Sequence, residues 1–360
     1  MRRKLPVPLW TVGAPVAAWL LYALTSLSLS TVLVVLLAIA LIAAVMAAVH
    51  HAEVIAHRIG EPYGTLVLAI AVTIIEVSLI VSIMLSGSSD TAALARDTVF
   101  AAVMIILTAI IGLCLLVGGV HFGEQVFGRY GVSAALVTLT AITVLTLVLP
   151  NYTTSIPGPV YNNSQLIFVA IVSLVLYGTF VMVQTVRHRD YFLPPHAAAK
   201  PEEHAEPPTR GAALLSTFLL LACLGAVVLL AKTLAPSIER GVVGLGAPKS
   251  LVGIIVALVI LMPEGLAAFR AARQNRLQTS LNLALGSALA SIGLTIPAVA
   301  IVSVVTGFPV ALGLDTKSMV LLILSLFTIV LSFATGRTNV LQGVVLLVIF
   351  AVYLFTTIVP

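Results

Sequence analysis

Gly60-Glu-Pro-Tyr-Gly-Thr-Leu-Val-Leu-Ala-Ile-Ala-Val-Thr-Ile-Ile-Glu-Val-Ser-Leu-Ile80 opens on turn-forming residues and then runs apolar apart from one carboxylate, Glu76. If a membrane span starts near Thr65, Glu76 lies roughly 16 Å along the helix, near the midplane of a ~30 Å hydrocarbon core. An acid at that depth is a functional group by default, because lipid offers it neither water nor counter-charge. The second half of the chain repeats the arrangement: Gly246-Ala-Pro248 opens another apolar run, interrupted by a lone acid in Leu261-Met-Pro-Glu-Gly265. Glu76 and Glu264 together set the question of function.

Working outward, 60% of the residues are hydrophobic and only 9% are charged, where a soluble domain carries about a quarter charged residues. The chain reads as an all-α polytopic membrane protein. Windows of about nineteen residues place eleven spans, near 8–26, 29–49, 65–85, 98–119, 132–150, 165–186, 212–233, 249–269, 279–305, 317–335 and 339–359. The one long hydrophilic interruption, 187–211, carries prolines, histidines and the acids Glu202, Glu203 and Glu206, and reads as a solvated cytoplasmic loop. Cys114 and Cys223 fall inside spans with no CxxC spacing and read as small buried hydrophobes.

The net charge of +5 is not a nucleic-acid footprint, because the basic residues follow a sidedness rule. With the N-terminus inside, Arg2, Arg3, Lys4, Arg58, Arg129, Arg187, Arg189, Lys200, Arg210, Arg270, Arg273, Arg276 and Arg337 fall on the inner side. Only Arg96, Lys232, Arg240, Lys249 and Lys317 fall outside. This predicts a cytoplasmic N-terminus and an external C-terminus. Setting aside a leading helix in 1–28 leaves five spans in 29–186 and five in 212–360. Five is odd, so the second set enters the membrane from the opposite face: an inverted-topology repeat, in which transporters place ion sites near the midplane.

Two facing carboxylates in low dielectric have two accessible states, protonated or neutralised by a cation, and these exclude one another. Joined to alternating access, that competition suffices for cation/proton exchange. Hard cations take oxygen ligands, and Thr73, Ser78, Asn282, Ser287 and Ser291 supply hydroxyls and an amide nearby. Pro263 frees a backbone carbonyl one turn upstream. Glu76 and Glu264 are the metal-binding candidates, with Thr73, Ser287 and Asn282 beside them. The blander readings are that a lone Glu hydrogen-bonds between helices and that Ser and Thr serve packing. His50, Glu53 and His57 share a helical face at i, i+3 and i+7, which suits regulation or ion access, although polar residues at a membrane interface need no special role. An intramembrane metal-dependent enzyme using His50, His51 and His57 is a second reading, disfavoured by the absence of HExxH and Gly-x-Ser-x-Gly. A passive channel through the same acids is a third.

Several blocks, in order, carry a resemblance: His51-Ala-Glu-Val-Ile-Ala-His-Arg-Ile-Gly-Glu-Pro-Tyr-Gly64, Glu76-Val-Ser-Leu-Ile80, Arg96-Asp-Thr98, Pro263-Glu-Gly265, Asn282-Leu-Ala-Leu-Gly-Ser287 and Phe333-Ala-Thr-Gly-Arg-Thr-Asn-Val-Leu-Gln-Gly343. From about residue 45 onward the chain resembles ChaA-type antiporters of the cation/Ca²⁺ exchanger superfamily. The resemblance implies eleven helices with two inverted five-helix repeats in a bacterial inner membrane, and export of Ca²⁺, Na⁺ or K⁺ against protons. It implies no enzyme activity and no cofactor; the partners are inorganic cations, protons and the lipid bilayer, with the oligomeric state left open. The family's paired acids fall on Glu76 and Glu264, and its following Gly-Ser on Gly286 and Ser287. The superfamily's Gly-Asn before each acid is replaced by Val72-Thr73 and Ile260-Leu261, and Gly265 stands where calcium exchangers often have His. Fewer fixed amide oxygens imply a site that takes monovalent or several cations.

Overall fold

The computed structural model describes residues 7–26, 30–60, 63–84, 91–193, 208–244, 246, 248 and 250–359. The acids Glu202, Glu203 and Glu206 lie outside the described residues. Among the described residues eleven helical rods run in order: α1 Leu9–Leu24, α2 Thr31–Ile59, α3 Tyr63–Met84, α4 Leu94–Phe122, α5 Arg129–Tyr152, α6 Asn163–Arg187, α7 Arg210–Gly244, α8 Ser250–Arg273, α9 Leu277–Thr306, α10 Thr316–Phe333 and α11 Val340–Ile358. Among the described residues nine are long and apolar enough to cross a bilayer, and α1, at 16 residues, is shorter. Two helices outrun their predicted spans. Helix α2 continues to Ile59 and stops only where Gly60, at φ 78°, turns the chain, so the expected loop after residue 49 is helical. Helix α7 continues past residue 233, through Pro236, to Gly244; at 35 residues it is about 52 Å long, well beyond a ~30 Å core.

By contact the chain forms two units, each drawing helices from both sides of the long loop. The first, Met1–Ser88 with Lys200–Gly246, holds α1, α2, α3 and α7. Helix α2 is its hub and packs on the other three. Its buried face, Leu37, Ala40, Leu41, Ala44, Ala48 and Ala52, keeps a helical period and is built largely of alanine, which lets backbones approach. The Trp19 indole N–H of α1 donates to Ala222 O of α7 at 3.0 Å.

The second unit, Ser89–Ala199 with Ala247–Pro360, holds the remaining seven helices around α4, the most enclosed of the nine long apolar helices. Helix α11 crosses α4 glycine against glycine: a Cβ added at Gly343 would come within 2.5 Å of Leu116 N and 2.9 Å of Gly112 O. Three helices contain π-helical turns, at Ile105–Ile110, Val144–Val148 and Val183–Arg187, the kind of local widening often kept where function needs it. At one end of the unit, β1 (Gln125–Val126) pairs antiparallel with β2 (Arg337–Thr338). At the other, the segment after α9 is strapped down by Ala311 N–H to Ala92 O (3.0 Å), Gly313 N–H to Pro159 O (2.9 Å), Leu314 N–H to Leu147 O (2.9 Å) and Arg96 Nη1 to Gly313 O (3.0 Å).

Candidate functional site

Glu76 stands thirteen residues after the start of α3, in the first unit, and is buried with 2% of its surface accessible. One turn earlier Thr73 is also buried, three residues from Glu76 on the same helix, and its hydroxyl donates to Ala69 O at 2.8 Å. Glu264 stands fourteen residues after the start of α8, in the second unit, and is half-buried. Pro263 lies inside the helix immediately before it and gives no N–H to the carbonyl of Val259.

The turn from α8 into α9 decides what lies level with Glu264. Asn275, at φ 58°, is the only non-glycine residue with positive φ among the described residues; Asn tolerates that region because its side chain bonds locally. Here its Oδ1 accepts from Gln125 Nε2 at 2.8 Å. Counting from Asn275 along the two antiparallel helices, Glu264 and Gly286 are each eleven residues away, so Gly286-Ser287 lies at the depth of Glu264. A Cβ added at Gly286 meets nothing within 4 Å, so there is room at that level. On its other side α8 receives the first π-helical turn of α4, and a Cβ at Gly265 would lie 3.2 Å from Ile110 Cδ1. The second unit therefore offers a carboxylate, a hydroxyl helix and open volume at one depth.

Asn282 occupies a different place. Its Nδ2 donates to Phe192 O at 2.6 Å, and its Oδ1 accepts from Gln278 Nε2 at 2.9 Å; the Gln278 Oε1 in turn accepts from Gly128 N–H at 2.6 Å. This amide chain ties α9 to the short helical turn Arg189–Phe192 and to the start of α5. Five residues before Ser287, Asn282 sits about 7 Å nearer the α8–α9 turn. The sequence alone gave no sign of this chain, because its partners come from ninety and one hundred and fifty residues away.

The histidine face expected on α2 is exposed only in part. His50 is half-buried against Trp10, with ring centroids 5.8 Å apart, while Glu53 and His57 are exposed. His51, the one fully buried histidine among the described residues, has both ring nitrogens taken, by Thr11 O and Ser216 Oγ. Among the described residues no three His, Cys, Asp or Glu side chains gather as a metal site.

The sequence profile described as "Sodium/calcium exchanger protein" matches residues 29–186 and 215–359. The chain belongs to the sodium/calcium exchanger family. As a member of that family, within the cation/Ca²⁺ exchanger superfamily, it is a multi-pass membrane transporter of the antiporter kind. It is 47% identical over 99% of its length, and 98% of the relative's, to y4hA of Sinorhizobium fredii, named as a candidate ionic transporter. It is 37% identical to the sodium-potassium/proton antiporter ChaA of Escherichia coli, over 88% of this chain and 86% of the relative. Its fold matches the structure of native YfkE with a TM-score of 0.73 at 19% identity, covering 98% of this chain and 100% of that one. At these identities the structural match speaks for the fold alone, and it agrees with the all-helical exchanger architecture read from the sequence.

Proposed function

We propose that this exchanger-family member is a secondary cation/proton antiporter in which Glu76 and Glu264 alternately carry protons and a cation. The observation that carries the reading is a recurrence. Each acid stands alone in its apolar helix, thirteen residues into α3 and fourteen into α8, and each of those helices is the second of its set of five. The family profile matches in two blocks on either side of the hydrophilic loop, which supports treating 29–186 and 212–360 as inverted repeats. Thr73 and Ser287 complete the oxygen set, and Asn282 acts through the position of α9. A carboxylate at such depth must be neutralised. Protons and cations both neutralise it, so each expels the other, and exposure to alternate faces turns that exclusion into exchange.

The cargo follows from the donor set and the relatives. Named relatives are a sodium-potassium/proton antiporter and, at lower identity, a Ca²⁺/H⁺ antiporter of Bacillus subtilis. Two carboxylates with hydroxyls and few amides suit Na⁺ and K⁺ as well as Ca²⁺. The proposed setting is a bacterial cytoplasmic membrane with the N-terminus inside.

The test uses everted vesicles under an imposed proton gradient, with a fluorescent reporter of internal pH. Addition of Ca²⁺, Na⁺ or K⁺ dissipates the gradient in the native protein, and the Glu264→Gln variant, present at equal amount, leaves it standing. Exchange retained by that variant removes Glu264 from the mechanism. Cation flux that leaves pH untouched identifies a passive channel.

A further inference from the structure

We propose that His51 is a positioning residue that fastens α1 and α7 to α2, by supplying the hydrogen bond that Pro15 denies to α1. Three observations carry this. In α1 the carbonyl of Thr11 would normally accept from the N–H four residues on, but that residue is Pro15, which has none. In place of that donor, His51 Nε2 lies 3.1 Å from Thr11 O. A carbonyl only accepts, so Nε2 carries the hydrogen; in the neutral ring Nδ1 is then an acceptor, and the Ser216 hydroxyl of α7 donates to it at 3.2 Å. The ring and the Ser216 side chain are both fully buried, so no water competes for these bonds.

One imidazole thus ties three helices of the first unit, and the hub helix it belongs to packs against α3, the helix of Glu76. The bond at the Thr11 carbonyl matters more than an average one. Without His51 that carbonyl is left buried with no helical donor, and an unmet buried polar group is worth roughly a tenfold shift or more in a folding equilibrium. Besides Thr11 and Ser216, His51 meets the edge of the neighbouring His50 ring, with centroids 5.7 Å apart. Its consequence for transport is to make α1, α2 and α7 move as one body, so that it governs turnover and leaves cation affinity alone. This last step rests on the antiport reading; the fastening itself does not.

The experiment is a double-mutant cycle on the full chain, read by thermal unfolding in detergent and by exchange in proteoliposomes. His51→Phe fills the space without a donor and lowers the unfolding midpoint. Pro15→Ala restores an N–H four residues after Thr11, so His51→Phe with Pro15→Ala recovers most of the loss. Pro15→Ala in the native background gains much less. Equal midpoints for His51→Phe with and without Pro15→Ala, or a His51→Phe variant as stable as the native protein, overturn the proposal. If His51→Phe fails to fold, His51→Gln, which keeps a donor and an acceptor, is expected to fold and exchange normally; its failure to do so also overturns it. In the folded double variant, maximal exchange rate falls several-fold while the half-saturating cation concentration stays within about twofold. A raised half-saturating concentration at unchanged maximal rate overturns the positioning role. Normal exchange in Glu264→Gln would sink the antiport mechanism without moving the stability cycle, so the two failures are distinguishable.

Discussion

Replacing Glu76 with Gln separates a transport role from a structural one, because the two predict opposite signs. The side chain is 2% exposed and lies eight residues from Met84 and thirteen from Tyr63, about 12 and 20 Å along the helix from its ends. Holding an ionised carboxylate there costs several kcal/mol even after relaxation. An amide of the same shape removes that cost and introduces at most one or two imperfect hydrogen bonds, at ~1–3 kcal/mol each. A Glu76→Gln protein should therefore unfold at the native temperature or above it. Exchange should behave differently, since an amide neither releases a proton near neutral pH nor offers a charge to a cation. A fall of at least ~100-fold, equivalent to ~2.7 kcal/mol, is expected in cation-driven proton movement. Glu76→Asp keeps the charge but withdraws it by one methylene, and exchange should survive at a reduced rate. The measurements are unfolding midpoint by scanning fluorimetry and initial exchange rate in proteoliposomes at matched protein. A stable Gln variant with native exchange rates refutes the reasoning. So does a variant that loses exchange only because its midpoint has collapsed, since Glu76 would then be a structural hydrogen-bonding residue.

Asn282→Leu removes two amide hydrogen bonds and should lower the unfolding midpoint by the equivalent of ~2 kcal/mol, with the half-saturating cation concentration unchanged; a large rise in that concentration would make Asn282 a ligand. Gly343→Val places a side chain within 2.5 Å of the α4 backbone and should cost at least ~1–3 kcal/mol, seen as poor folding, while Gly286→Ala, with open space around it, should fold normally. Tyr161, in the connection between α5 and α6, is buried with its hydroxyl donating to Leu145 O at 2.6 Å, and burial pushes its phenol up to about 12. The folded protein therefore holds this proton more tightly than the unfolded chain does. The stability it contributes is full below pH 10 and is lost as pH rises from about 10 to about 12, so Tyr161→Phe should flatten the alkaline fall in stability across that window.

The helices were legible because a bilayer imposes a length of apolar sequence, and every predicted span corresponds to a described helix. Their ends were less so. A hydropathy window reports where lipid stops, whereas a helix stops where the backbone must turn; α2 runs ten residues beyond its apolar window until Gly60 ends it. The π-helical turns were invisible, since one extra residue in a helical turn leaves no mark on composition. On α2, helical periodicity selected His50, Glu53 and His57 because they share a face, and passed over the adjacent His51. Only the presence of Pro15 thirty-six residues earlier in the chain, and of Ser216 far later, gives that residue its place.

The block Phe333 to Gly343, the longest word of the family resemblance apart from His51 to Gly64, turns out to be architecture. Gly336 takes φ 74°, Arg337-Thr338 forms β2, Asn339 and Gln342 close a reciprocal capping box at the start of α11, and Gly343 admits the backbone of α4. None of these residues has to meet a cation to be required at its position. The same holds for Gly60 at the end of α2 and for Asn275 in the α8–α9 turn. What such constraints leave unexplained is small: Glu76 and Glu264 bring charge to segments that fold as apolar helices without it, and Pro263 weakens the helix at the second of them. On the antiport reading, the two acids, thirteen and fourteen residues into the second helix of their sets, are where the exchange chemistry resides. If that reading holds, the positions that specify the architecture and those that carry exchange are almost disjoint, and substitutions at the two acids should change exchange while leaving the fold intact.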